Sequence, residues 1–171
     1  MKRRTFELIQ HLSVSEASYI AGFTDGEGWI GLSRRKKTWA NGQGTYLRPI
    51  VSLTQKDRRP LDWISSLVGN AGHIHVDGRF GQIHELKFDG PAIRWLLPQL
   101  IPFLIVKKKQ AELVLRFCNL CRYMGKRLTH EQLAEREGVR AELEALNAKP
   151  SNRILSNSLS VVQIAGEEKA A

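Results

Sequence analysis

Ser13-Val14-Ser15-Glu16 opens the first regular stretch of the chain. A serine followed three residues later by a glutamate is a capping box, and it predicts a helix over about residues 14–26. Tyr19, Ile20 and Phe23 are large and share one helical face, which is expected to anchor a core. Ala17, Ser18, Ala21, Gly22 and Gly26 form a second face of small residues. Ser18, Gly22 and Gly26 are each four apart, a spacing that lets two helix backbones approach closely, as it does in membranes. A glycine inside a helix costs roughly 1 kcal/mol relative to alanine, so two of them point to close packing. Gly26-Glu27-Gly28 then ends the helix with a carboxylate at its tip.

The pattern next switches to a period of two. Trp29 to about Arg35 reads as a strand, Lys36 to Thr45 as a long polar hairpin loop, and Tyr46 to Gln55 as the returning strand. In that strand Leu47, Val51 and Leu53 alternate with Arg48, Ser52 and Thr54, and Pro49 points to an edge position or a bulge. A short helix starts at Pro60 and stops at Gly69. His73–Val76 and Gln82–Phe88 form a second hairpin around a turn begun by Asp77-Gly78. Asp89 is placed to cap a helix through Ile93, Leu96, Leu97 and Leu100. Lys107 to about Tyr123 is a further helix, and Thr129-His130-Glu131-Gln132 is a second capping box that opens a charged helix to about Asn147. The order predicts an α+β fold, with one four-stranded antiparallel sheet, helices on one face and added C-terminal helices. Residues 1–150 make one domain and 151–171 a polar, Ala-rich tail.

Charge narrows the partners. The chain has 171 residues and a formal net charge of +9. Residues 126–171 hold seven basic and seven acidic side chains, so the whole excess falls on residues 1–125, with the glycine-bearing helix. A localised excess of this kind suits an anionic polymer such as nucleic acid. No apolar run is long enough to span a membrane and no signal-peptide core follows Met1-Lys2-Arg3-Arg4, so an intracellular protein is expected. Cys118 and Cys121 make a Cys-x-x-Cys without a second pair, which reads as buried thiols on a helix rather than a zinc or redox site. His73, His75 and His84 bring no supporting ligand set for zinc and read as strand-surface residues.

Ile20-Ala21-Gly22-Phe23-Thr24-Asp25-Gly26-Glu27-Gly28 resembles the signature motif of the LAGLIDADG homing endonucleases, and it occurs once. The resemblance implies their αββαββα fold and a homodimer whose two motif helices pack at a two-fold axis. It places Ser18, Ala21, Gly22 and Asp25 at the dimer interface, with Asp25 structural. It makes Glu27, where the family more often has Asp, the ligand of a divalent metal, Mg²⁺ or Mn²⁺, joined by the Gly26 backbone carbonyl. Two further segments match. Thr54-Gln55-Lys56-Asp57-Arg58-Arg59 supplies Gln55 and Arg59, which by resemblance order water and contact the scissile phosphate. Pro102-Phe103-Leu104-Ile105-Val106-Lys107-Lys108-Lys109-Gln110 supplies Lys107 as the active-site lysine. A cation at a helix start opposes the helix dipole, so a lysine there needs a reason. An ammonium near a phosphate would stabilise transition-state charge.

What the resemblance implies is a site-specific DNA endonuclease that makes a metal-dependent double-strand break at a long, near-palindromic site. Each copy of Glu27 would serve one strand. Two-stranded ribbons fit the major groove. The candidate DNA contacts are Arg34, Lys36, Lys37, Trp39, Gln43, Arg48, His75, Arg79 and Lys87, with Arg34, Arg48, His73, His75 and Lys87 expected to gather on the open sheet face. The alternatives are an RNA maturase or DNA-binding protein on the same fold without cleavage, and a general basic nucleic-acid binder with steep salt dependence.

Overall fold

A computed structural model describes residues 11–39, 42–77, 82–120 and 129–148. Helix α1 (Val14–Glu27) leads into a hairpin of β1 (Gly28–Trp39) and β2 (Gly42–Gln55). Helix α2 (Arg59–Leu67) follows, then β3 (His73–Asp77), β4 (Ile83–Asp89) and α3 (Pro91–Leu100). Two C-terminal helices, α4 (Lys108–Leu120) and α5 (His130–Asn147), complete the described chain. The four strands form one sheet in the order β1-β2-β4-β3, with every neighbouring pair antiparallel. The α+β order expected from the sequence is therefore present. Residues 121–128, with Cys121, and the 151–171 tail lie outside the described residues.

Both capping boxes form. The Ser13 side chain accepts from the Glu16 amide while the Glu16 side chain accepts from the Ser13 amide, and Thr129 and Gln132 do the same for α5. On β4, Leu86 and Phe88 are buried, and the register sets them beside Leu53 and Val51 of β2. These residues define the face that the helices cover. Ala17, Ile20 and Ala21 of α1, Leu61 and Ile64 of α2, Ile93, Leu96 and Leu97 of α3, and Val114 and Phe117 of α4 close the core. Each large apolar side chain buried there contributes on the order of 2 kcal/mol. No described helix is long and apolar enough to cross a membrane.

Three local expectations change, and the edge position of Pro49 holds only locally. Lys36–Trp39 and Gly42–Thr45 are strand residues of a ribbon, in place of the expected long loop, with Lys36 paired to Thr45 and Trp39 to Gly42. Its polar residues hid the strand, because a ribbon that runs past its covering helices has no apolar face to display. Pro49 sits in a central strand, yet it pairs only with Leu32 of β1, and the β2–β4 ladder starts at Ile50. The strand is locally an edge there, so a missing N–H is tolerated. Asp89 does not cap α3. Gly90 stands at the N-cap with φ 55° and ψ −127°, a conformation open to glycine, and Asp89 pairs instead with Arg48. Tyr19 is not in the core: it is 47% exposed and meets Trp63 of α2 edge-on, with ring centroids 5.0 Å apart.

Candidate active site and nucleic-acid surface

The buried stripe of α1 is Ala17, Ile20, Ala21 and Thr24, an i, i+3, i+4, i+7 set. Thr24 satisfies its buried hydroxyl by donating to the Ile20 carbonyl at 2.7 Å. Ala21, expected at a dimer contact, is fully buried inside its own chain. Ser18, Gly22 and Gly26 point the other way and are exposed. A Cβ added at Gly22 or at Gly26 would meet nothing within 4 Å. A Cβ at Gly28 would lie 2.5 Å from the Thr24 carbonyl oxygen. Of the three glycines in the motif, only Gly28 is required by packing among the described residues.

The C-terminal end of α1 is held by the segment before α4. The Asp25 carboxylate accepts the amides of Ile105 at 2.7 Å, Val106 at 3.1 Å and Lys107 at 2.8 Å. These N–H groups lead into the start of α4, the end of a helix near which an anion is favoured. Burial pushes the Asp25 carboxyl upward, but the three amides outweigh it and hold the group below its ordinary value. The carboxylate of Asp25 is thus engaged within the chain. Lys107 replies from the other side: its ammonium donates to the carbonyl of Thr24 at 3.0 Å and to that of Asp25. The lysine that opposes the dipole of its own helix therefore sits at the C-terminus of α1, where the dipole favours a cation.

Glu27 extends from this helix end and is exposed. Its backbone carbonyl accepts from the Thr54 hydroxyl at 3.1 Å, which ties it to the end of β2 next to Gln55. Thr24, Asp25 and Glu27 carbonyls are all engaged, and that of Gly26 has no hydrogen-bond partner among the described residues. An exposed carboxylate beside an open carbonyl is a hard-oxygen donor set of the kind that Mg²⁺ or Mn²⁺ takes. Among the described residues no cluster of three or more His, Cys, Asp or Glu could hold a metal. Beyond Glu27 and the Gly26 carbonyl, a cation there would draw its other ligands from outside the described residues.

Gln55 is half-buried, and its side-chain oxygen accepts the Lys56 amide at 2.9 Å, leaving the NH₂ group to donate elsewhere. Arg59 is almost fully exposed and forks onto Asp57 through Nε, with Nε to Oδ1 at 3.0 Å and to Oδ2 at 2.9 Å. The Arg59 guanidinium lowers the Asp57 carboxyl to about 2. Gln55 and Glu27 share one end of the sheet, since Gly28 pairs with Leu53. Arg59 belongs to the start of α2 on the connection that follows.

On the uncovered face the register aligns His73, Lys87, Ser52 and Trp29 in one row, and His75, Glu85 and Thr54 in the next. Asp89 and Ile50 follow, with Arg48 two residues along β2. Arg34 does not join them. It pairs with Leu47, on the helix-covered parity, and lines a cavity of about 480 Å³ with Phe117, Leu133 and Arg136. Strand alternation puts Arg35 on the open face instead, a distinction that needs the register and not only the composition. Lys36 is exposed on the ribbon; Lys37, Trp39 and Gln43 occupy ribbon positions but their side chains lie outside the described part, as does Arg79. The residues that sequence reasoning missed are the acids. Glu85 bonds Lys87 at 2.7 Å and Asp89 bonds Arg48, so the open face carries charges of both signs. Their alternation with Leu86 and Phe88 was the available signal.

No family model matches the sequence, and no curated protein does. Solved structures do match the fold. The chain is similar to the archaeal intron-encoded homing endonuclease I-Vdi141I complexed with DNA, at 26% identity and a TM-score of 0.66, over 83% of this chain and 93% of that one. It is similar to the homing endonuclease I-CvuI in complex with the I-CreI target, uncleaved with magnesium present, at 19% identity and a TM-score of 0.67, over 80% and 85% of the two chains. It also matches the I-SmaMI LAGLIDADG homing endonuclease bound to cleaved DNA at 22% identity and a TM-score of 0.60, over 75% of this chain but 46% of that one.

Proposed function

We propose that this chain, which has the fold and the signature motif of the LAGLIDADG homing endonucleases, is a divalent-metal-dependent endodeoxyribonuclease that acts as a homodimer on a long, near-palindromic duplex site. The observation that carries it is the end of α1. There an exposed Glu27 carboxylate and an open Gly26 carbonyl stand at the helix end that the Lys107 ammonium caps, next to a face where nothing among the described residues lies within 4 Å of a Cβ added at Gly22 or Gly26. The solved relatives are complexes with DNA, which supports the substrate class. The match to only 46% of one of those chains supports a reading in which one copy supplies half of the machinery.

In this reading the Ser18, Gly22 and Gly26 faces of two copies pack together and bring two Glu27 side chains to the axis. Glu27 and the Gly26 carbonyl hold the metal, Mg²⁺ or Mn²⁺, with DNA oxygens completing the shell. When bound, such an ion neutralises phosphate charge and favours a hydroxide nucleophile. Lys107 spends two of its three N–H donors on α1 carbonyls and keeps one for a phosphate oxygen. The Gln55 amide orients water, and Arg59 exchanges Asp57 for the scissile phosphate, which its exposure permits. The sheet and its ribbon lie in the major groove, with Lys36, Lys37, Trp39, Gln43, Arg48, His75, Arg79 and Lys87 as contacts. Arg34, on the other parity, contacts phosphate at most.

The test is a selection of cleaved sites from a randomised duplex library with Mg²⁺. Recovery of a two-fold related site with both strands cut supports the reading. Binding without cleavage at any site, or preference for structured RNA over duplex, would overturn it.

A further inference from the structure

The open face of the sheet is electrically balanced where it is widest. Arg48 is paired with Asp89 and Lys87 with Glu85, all four on the parity opposite the buried Leu86 and Phe88. Exposed cations without a carboxylate partner among the described residues are on β1, with Arg35 on the open parity and Arg34 and Lys36 on the other. A surface that only attracted a polyanion would not carry two carboxylates at its centre, since each one repels phosphate.

The Arg48–Asp89 pair has a further asymmetry. The Asp89 side chain is 24% exposed and that of Arg48 41%, so the acid lies deeper and the base reaches outward from it. The contact uses Nη2 of the guanidinium, which has five N–H donors in a fixed plane. A carboxylate bound to one part of that fork restricts the plane and leaves the other N–H groups without a partner among the described residues. Such a restricted guanidinium edge matches the O6 and N7 acceptors of guanine in the major groove. The two residues come from neighbouring strands, with Asp89 beside Ile50 in the register, so the sheet itself sets their geometry.

We infer that Asp89 is a positioning residue for base recognition: it aims Arg48 at one guanine in each half-site, while the ribbon cations hold phosphates. The inference rests on the DNA-reading role proposed above. It goes further by assigning one acidic side chain to specificity and not to affinity.

The experiment measures equilibrium binding of the full chain to a randomised duplex library for wild type, D89N, D89E, R48K and the D89N/R48K double variant, together with the salt dependence of each. D89N and R48K are expected to flatten the preference for guanine at the same position by roughly tenfold or more. The double variant should be no worse than either single one, and D89E should recover part of the preference. Affinity for non-selected duplex should hold or rise in D89N, because a repulsive charge is gone. A loss of affinity that is uniform over all sequences would mean a merely structural role and sink the inference. So would an effect of D89N at a position that R48K leaves alone. If wild type itself shows no base preference, the DNA-reading proposal fails first, and the variants need not be compared.

Discussion

Asp25 and Lys107 hold each other twice. The Asp25 carboxylate accepts the Lys107 amide at 2.8 Å, and the Lys107 ammonium donates back to the Asp25 carbonyl. The two contacts join the end of α1 to the start of α4 across 82 residues of sequence. An anion from the end of α1 meets the amides that lead into α4, and a cation from that segment meets carbonyls in the last turn of α1. This clasp holds the Lys107 ammonium at the end of α1 from which Glu27 extends.

Asp25→Asn should therefore destabilise the fold, by about 1–3 kcal/mol, because an amide cannot accept all three N–H groups. The carboxyl is held below its ordinary value in the folded chain, so its contribution is present above the ordinary carboxylate range and is lost as pH falls through the lowered value. Urea unfolding at neutral pH and at about pH 3 measures both effects. The gap between wild type and variant should shrink in acid. An unchanged gap would contradict the clasp.

Glu27→Gln should abolish cleavage while leaving duplex binding within a few-fold of wild type. The side chain is exposed and makes no described hydrogen bond, so stability should stay within about 0.5 kcal/mol. Cleavage and binding assays on one selected site check it, and full cleavage by the variant would remove Glu27 from the chemistry.

Gly22→Leu separates folding from assembly. Nothing among the described residues lies within 4 Å of an added Cβ, and leucine is the better helix former, so the chain should stay folded and lose only the stability that association supplies. Self-association and cleavage should both be lost. Sedimentation and thermal melting decide it; a dimeric, active variant would refute the packing of two α1 helices.

Lys107→Met keeps the aliphatic stem and removes the ammonium. Two carbonyls lose a donor, which should cost about 1–2 kcal/mol, and cleavage should fall by about a hundredfold or more. If the rate falls only as far as the folded fraction does, the lysine is structural alone.

Lys36→Ala, on the exposed ribbon, should weaken binding about equally for all duplex sequences. The slope of log affinity against log salt should drop by about two, one for each copy in the proposed dimer. A sequence-dependent effect would make Lys36 a base reader.

The sequence by itself determined the local pieces. Ser13 with Glu16 and Thr129 with Gln132 mark their helices because capping chemistry acts within four residues. The alternation of Leu47, Val51 and Leu53 with Arg48, Ser52 and Thr54 marks β2 because a pleated strand with one covered face must repeat every two residues. The run from Ile20 to Gly28 marks the motif helix and its terminal carboxylate.

Only the tertiary structure decided which way those pieces face. Tyr19 reads as core and is outward, because Ala17 and Ala21, though small, share the stripe of Ile20 and Thr24 that meets the sheet. Arg34 and Arg35 are indistinguishable as residues, and one step of register sends them to opposite faces. Asp89 has the residue type of a helix cap, yet Gly90 takes that place and frees the carboxylate for Arg48. Lys107 has a local cost at the start of α4 that disappears at the end of α1, a partner far away in sequence. Patterns that act within one turn or one strand are written in the chain; charge partners and solvent faces depend on what the fold brings alongside.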